Sequence, residues 1–146
     1  MITIDEHASD IIHVGVGCLV FKGSRLLLGR RIDDTHGNGE YSCGGGHVEL
    51  RERLAESARR EIREEWGIEV DLPRFLCVIN LPGYDGLHYL SFGFKANWVS
   101  GQPHPEKAGE FDGFTWYPLD ALPSPLFRPV PCYLEALRTG KSYFEL

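Results

Sequence analysis

Residues 46–68, GHVELRERLAESARREIREEWGI, constrain the chain more than any other stretch. They set Gly46, Glu52, Arg60, Glu61, Ile62, Glu64, Glu65, Gly67 and Ile68 in the pattern G-x5-E-x7-R-E-I-x-E-E-x-G-I. From about Arg53 to Trp66 there is no Gly or Pro, and Arg, Glu, Ala and Leu dominate, all good helix formers. Gly67 then offers the left-handed conformation that ends helices. Leu54, Ala58 and Ile62 recur at four-residue steps, with Ala55 and Trp66 close by, so one stripe faces a core. Glu61, Glu64 and Glu65 fall at i, i+3 and i+4, beside that stripe and not opposite it.

Such a placement is costly unless something binds there. Glu61 and Glu65 are like charges one turn apart, and all three lie near the negative end of the helix dipole. Arg60, at i−4 to Glu64, compensates one of them. A divalent cation with a taste for hard oxygen ligands compensates all three, and Mg²⁺ is commonly held by carboxylates together with substrate phosphates. The bland alternative is a solvated Glu/Arg face. It leaves unexplained why a glycine-rich turn and Glu52 precede the helix at these distances.

The whole pattern resembles the Nudix box, the signature of the Nudix hydrolases, at every fixed position. The resemblance implies an α/β fold, a Nudix-type α/β/α sandwich with a mixed β-sheet. It implies a hydrolase acting on phosphoanhydride bonds, splitting a nucleoside diphosphate linked to another moiety, X. Carried over by position, Glu61, Glu64 and Glu65 are metal ligands, with Gly45 beside them. Glu64 or Glu65 is the first choice for general base, Arg60 orients a glutamate, Glu52 supports the metal site, and Gly46 shapes the loop–helix junction. Gly45 and Gly46 also stand at the substrate. GVGCLVF (15–21) and LLLGRR (26–31) look like the family's first two core strands. NLPGYDGLHYLSFGFKA (80–96) and the chain after it resemble the branch that cleaves nucleoside triphosphates. Two positions depart from the family: Gly44 replaces a usual proline, and Arg51 stands where glycine is common.

Size and composition fit one globular domain, residues 1–146. The net charge of −6 argues against a general nucleic-acid surface, so no polymer partner is expected and phosphate binding leans on a metal ion and local arginines. Cys18, Cys43, Cys77 and Cys132 show no C-x-x-C spacing and read as reduced thiols. With no apolar run of 18 residues and no signal peptide, neither a membrane partner nor secretion is expected, and the chain is assigned to the cytoplasm. A homodimer is implied by resemblance alone.

Residues 1–10 read as loosely held. His13–Phe21 and Leu26–Arg31 read as a hairpin, and Tyr41–Cys43 as a short strand before a glycine turn. Glu69–Asn80, Leu87–Val99 and Phe111–Pro118 read as strands, with a turn over 82–86. Asp120–Leu122 reads as a helical turn and Pro131–Thr139 as a second helix.

For the substrate, Arg30 or Arg31 at the end of the second strand reaches a phosphate. Gly37-Asn38-Gly39 admits close backbone approach. Tyr89, Phe92 and Phe127 are candidates to stack on a base, and His88 to hydrogen-bond it. His47 reads as structural. Glu106 and Glu110, on a later loop, are further candidates for the base. The expected cofactor is Mg²⁺, with Mn²⁺ equally suited to carboxylate oxygens. A (deoxy)nucleoside triphosphate is the leading substrate, and ADP-ribose or a nucleotide sugar the alternative. A nucleotide sensor without turnover is the reading from another class.

Overall fold

β1 (Ile12–Lys22) alternates its side chains between two cores, and this alternation organises the molecule. Val16, Cys18 and Val20 point into one buried cluster with Ala58, Ile62 and Trp66 of α1 (Leu54–Trp66). Leu19 and Phe21 point into the other, with Val130, Tyr133 and Ala136 of α2 (Val130–Thr139). The sheet between them is therefore covered on both faces, the expected α/β/α sandwich. This is a computed structural model, describing residues 10–33 and 37–146. The expectation of a loose segment over 1–10 falls, Asp10 apart, outside the described residues.

The remaining strands are β2 (Arg25–Arg31), β3 (Tyr41–Ser42), β4 (Gly44–His47), β5 (Glu69–Val70), β6 (Arg74–Tyr84), β7 (Leu87–Ser100), β8 (Phe111–Pro118) and β9 (Tyr143–Glu145). The sheet runs β3-β2-β1-β7-β6-β9, with β4 on β1, β5 on β7 and β8 on β2. β1 pairs β7 in parallel, as β6 pairs β9, and the other pairs are antiparallel, so the sheet is mixed. No helix among the described residues is long and apolar enough to cross a membrane.

Several local expectations need correction. The Gly44-Gly45-Gly46 turn is a strand, in register with Cys18, Gly17 and Val16. Glycine is a poor strand former, but here closeness decides: a Cβ on Gly45 would overlap the Val16 carbonyl, and one on Gly44 the tip of Ile62. The usual proline at 44 is thus replaced where Ile62 fills the space. The single strand expected over 69–80 is two, β5 and β6. Asp71 breaks it by accepting the Asn97 backbone N–H at 2.7 Å and the Asn97 side-chain amide at 3.0 Å.

Pro82, Gly83 and Tyr84 continue β6 through a register shift, so the turn shrinks to Asp85-Gly86. Residues 120–122 form no helical turn; Ala121 closes a simple turn by donating to the Pro118 carbonyl. β9 was not expected. It is secured by Val78 donating to Ser142 and Leu146 donating to Asn80.

Candidate active site

α1 starts after an extended Arg53 and stops at Gly67, whose φ of 66° is left-handed. Its inward turn presents Arg60, which gathers the acidic groups around it. Nε and Nη2 donate to the two Glu52 oxygens at 2.6 and 3.0 Å. Nη1 donates to Glu61 at 2.8 Å and Glu64 at 3.0 Å, and Nη2 also donates to the His47 carbonyl at 3.0 Å. Glu52 takes the Glu49 N–H as well, and the Arg60 guanidinium holds its carboxyl down at about 2. The Glu61 carboxylate is buried directly against Gly46, where any Cβ would overlap it. Burial pushes Glu61 up and Arg60 pulls it back, with burial prevailing.

Glu65 lies one turn on, beyond the reach of that guanidinium. Burial, then Glu110 and Glu61, push its carboxyl up to about 7. Glu65 and Glu110 both line a cavity of about 360 Å³ that also touches Gly45, Gly46, Arg31 and Phe127. On the β1 and β7 side its wall includes the small residues Gly15, Gly17 and Ser91. Tyr133 from α2 lies over Gly17 and Gly93, where a Cβ on either would overlap its ring, and its hydroxyl meets Ser91 Oγ.

The family model for the NUDIX domain matches residues 11–135, most of the chain. The chain belongs to the Nudix hydrolase family. It is 37% identical over 105 residues to a protein named NAD-capped RNA hydrolase NudC from Pseudomonas aeruginosa, covering 72% of this chain and 36% of that one. The Nudix chain therefore spans well under half the length of these relatives. A protein named Phosphatase NudJ from Escherichia coli is 25% identical over 131 residues, 89% of this chain and 84% of that one. Among solved structures, a MutT NUDIX hydrolase from Burkholderia pseudomallei superposes with a TM-score of 0.79 at 29% identity, covering 87% of this chain and 98% of that one.

This Nudix domain brings together only part of the residue set expected from sequence. Glu61, Glu64 and Glu65 share one helix, but they differ: Glu64 is 57% exposed and paired with Arg60, whereas the other two turn inward. Gly45, Gly46, Phe127 and Tyr89 line the cavity. Arg30 does not; a register shift after Leu28 turns it outward, where Asp112 holds it through two hydrogen bonds of 2.9 and 2.7 Å. Arg31 is the arginine on the cavity wall, its guanidinium 4.3 Å from the Phe127 ring. Glu106 sits at the C-terminal end of α1, 2.6 Å from His104 Nε2, so of the two later glutamates only Glu110 faces the cavity.

His88 is turned to Asn80 Oδ1 at 2.6 Å, and Phe92 belongs to the α1 core, one step out of phase with Tyr89. Gly37 packs against Arg31 and Phe127 and is not on the cavity wall. His47, read as structural, faces the cavity with its Nε2 3.1 Å from the Tyr89 hydroxyl. Burial, then the neighbouring His13, lower its pKa. His13 is a cavity residue the sequence reading missed. The signal was available: His13, Gly15 and Gly17 share one parity of β1.

The donor chemistry fits a hard divalent cation. Carboxylate oxygens dominate, and Glu65 is driven toward its neutral form by burial and two like charges, a combination a cation relieves. Among the described residues no three ligating side chains already converge on one point. That suits an ion completed by water and substrate phosphate more than one caged by protein alone.

Proposed function

We propose that this Nudix domain is a metal-dependent pyrophosphohydrolase that cleaves a nucleoside diphosphate linked to X. A (deoxy)nucleoside triphosphate is the first substrate, giving the monophosphate and pyrophosphate. The observation that carries the reading is the half-buried Glu65 carboxyl, sharing a cavity wall with Glu110 and lying within a complete Nudix box. Glu61, Glu64 and Glu65, with the Gly45 backbone, would hold Mg²⁺ or Mn²⁺. Held there, such an ion would supply neutralisation of diphosphate charge and activation of water.

The chain's own groups do the rest. Arg60 fixes the rotamers of Glu52, Glu61 and Glu64, so the acidic groups are ordered before substrate arrives. Arg31 offers positive charge to a phosphate. Glu65 and Glu110 face the same space and are the two groups placed to accept a proton from the attacking water. Separate pH–rate profiles of Glu65→Gln and Glu110→Gln decide between them.

A second reading is favoured by the name of the 37%-identical relatives: a dinucleotide such as NAD, split at its diphosphate. ADP-ribose and nucleotide sugars belong with it. The deciding experiment is a turnover screen with excess Mg²⁺ over NTPs, dNTPs, NAD, ADP-ribose, nucleotide sugars and NAD-capped RNA, with products identified by mass. Pyrophosphate from triphosphates supports the first reading. Two mononucleotides from NAD support the second. Nucleotide binding without turnover of any diphosphate overturns both in favour of a sensor. The buried, unpaired thiols Cys18, Cys43, Cys77 and Cys132 fit a reducing, cytoplasmic setting. The homodimer belongs to the same reading, and light scattering reports the mass that checks it.

A further inference from the structure

α1 covers only part of its face of the sheet. It packs chiefly on β4 and β1, and the buried cluster beneath it takes no residue from β6 or β9. Strand alternation decides what those two strands present there instead. Cys77 and Ile79 point into the α2 core, so Val78 and Asn80 point the other way. Phe144 also joins the α2 core, so Tyr143 and Glu145 share the α1 side. Phe75 joins them, leaning on the Phe92 and Phe94 rings of β7 at 6.4 and 5.9 Å.

The result is an apolar sheet face without a helix over it. Phe75 is 53% exposed and Tyr143 51%. Val78 stands in register between Tyr143 and Phe92. Leu90, the next residue of β7 on this side, carries the face on to Val14 and Ile12, which are 36% and 56% exposed. These four exposed side chains leave on the order of 400 Å² in water, and the half-buried Val78, Leu90 and Phe92 add to it. That is close to the apolar share, about 60%, of the roughly 800 Å² that a standard-size interface takes from each partner.

The polar groups on the face are already paired. Asn80 Oδ1 lies 2.6 Å from His88 Nε2, and the Asn80 amide donates to Glu145 at 3.0 Å. Covering the face therefore leaves none of these side chains without a partner. Glu145 stands on the edge strand β9, at the rim, where interfaces tolerate charge. With that carboxylate, no Lys or Arg among the residues named, and a chain charge of −6, the face repels a polyanion or an anionic lipid surface. A flat sheet face offers no groove to a helix. Its complement is another sheet face, packed about 10 Å away.

We propose that this face is an interface between two copies of this chain, packed sheet on sheet about a twofold axis. The inference rests on the homodimer reading above and gives it a contact surface. It leaves the reaction free, because β1 and β7 turn their other side, Gly15, Gly17 and Ser91, to the cavity.

Sedimentation equilibrium of the full chain, from low to high micromolar protein, tests the face. The chain is expected at twice the mass of one copy. Phe75→Glu and Tyr143→Glu should each weaken the dimer about a hundredfold or more, because a twofold interface feels every substitution twice. Leu119→Glu, at a similarly exposed leucine beside α2, should leave the mass unchanged. If circular dichroism shows that the glutamate variants do not fold, Phe75→Ala and Tyr143→Ala decide, with about tenfold weakening each. A single-copy mass at every concentration overturns the face and the homodimer together. A dimer that survives the Phe75 and Tyr143 substitutions, or one that only Leu119→Glu breaks, overturns the face and leaves the homodimer standing.

Discussion

The two sides of α1 treat the same side chain in opposite ways. On the Arg60 side, Glu52, Glu61 and Glu64 share a built-in guanidinium, and Glu52 stays ionised down to about pH 2. On the Glu65 side, a carboxyl sits half-buried next to Glu110 and is pushed up to about 7. One side is complete as folded. The other holds like charges together, which a cation or a proton relieves. Glu52, just ahead of the helix, and Glu61, Glu64 and Glu65 on it thus divide into a frame and a working face, and the sequence spacing alone does not reveal that division.

The sharpest way to break this contrast is to neutralise the working face. Glu65→Gln should lower turnover on the order of a thousandfold, with an unchanged circular dichroism spectrum. Near-wild-type kcat would place the chemistry elsewhere. On the frame side, Arg60→Met should cost about 3 kcal/mol, because it leaves the buried Glu61 and the part-buried Glu52 without their shared partner. Urea denaturation reads this, and a loss below about 0.5 kcal/mol, the size expected of an exposed pair, would show the network to be decorative.

A third expectation sets the two sides apart by pH. Glu65 has a folded pKa above its ordinary value, so the native state binds more protons than the unfolded one. Its contribution is full below about pH 4.5 and is lost as pH rises through about 7. Melting temperatures in EDTA should therefore fall over that window, and Glu65→Gln should flatten the fall. An identical pH dependence in both proteins would assign the repulsion to other groups. Glu52 has the opposite sign, contributing above about pH 4.5 and losing that contribution as pH falls toward 2.

The smallest effect concerns the loop that feeds the frame. Arg51 holds a φ of 67°, in the left-handed region that glycine tolerates and arginine does not. Arg51→Gly should stabilise the protein by about 0.5–1 kcal/mol, since relief of strain is partly offset by greater freedom of the unfolded chain. Destabilisation on chemical denaturation would mean that the Arg51 side chain contributes more than its backbone costs.

Much of this was legible in the sequence where one interaction dominates. α1 was readable within a residue of its start because propensity, the apolar stripe and Gly67 agree. β8 was readable in full because turn signals and β-branched or aromatic residues bound it. The misses arose where backbone approach outweighed propensity. β4 is three glycines and a histidine, yet it pairs because only glycine lets it lie so close to Val16.

The sequence left open which of Arg30 and Arg31 faces the site, because a bulge, invisible to simple alternation, falls just before them. His13 escaped because one histidine in an apolar strand looks like core. Read with Gly15 and Gly17 on the same parity, it marks a wall left deliberately bare. Glu110 could be named but not chosen over Glu106, because only the loop's path turns one toward Glu65 and the other toward His104.

Tyr133 resting on Gly17 and Gly93 has a consequence for how a chain like this can diverge. The ring sets the distance between α2 and the sheet, and α2 begins just after Phe127 and Pro129 on the cavity wall. A single methyl gained at 17 or 93 would lift the helix and widen the chamber beneath it, so neither glycine can drift alone. The three positions form one packing unit: a larger residue at 17 or 93 needs a smaller one at 133. The width of the chamber is therefore set jointly by positions 17, 93 and 133, and no one of them changes it freely.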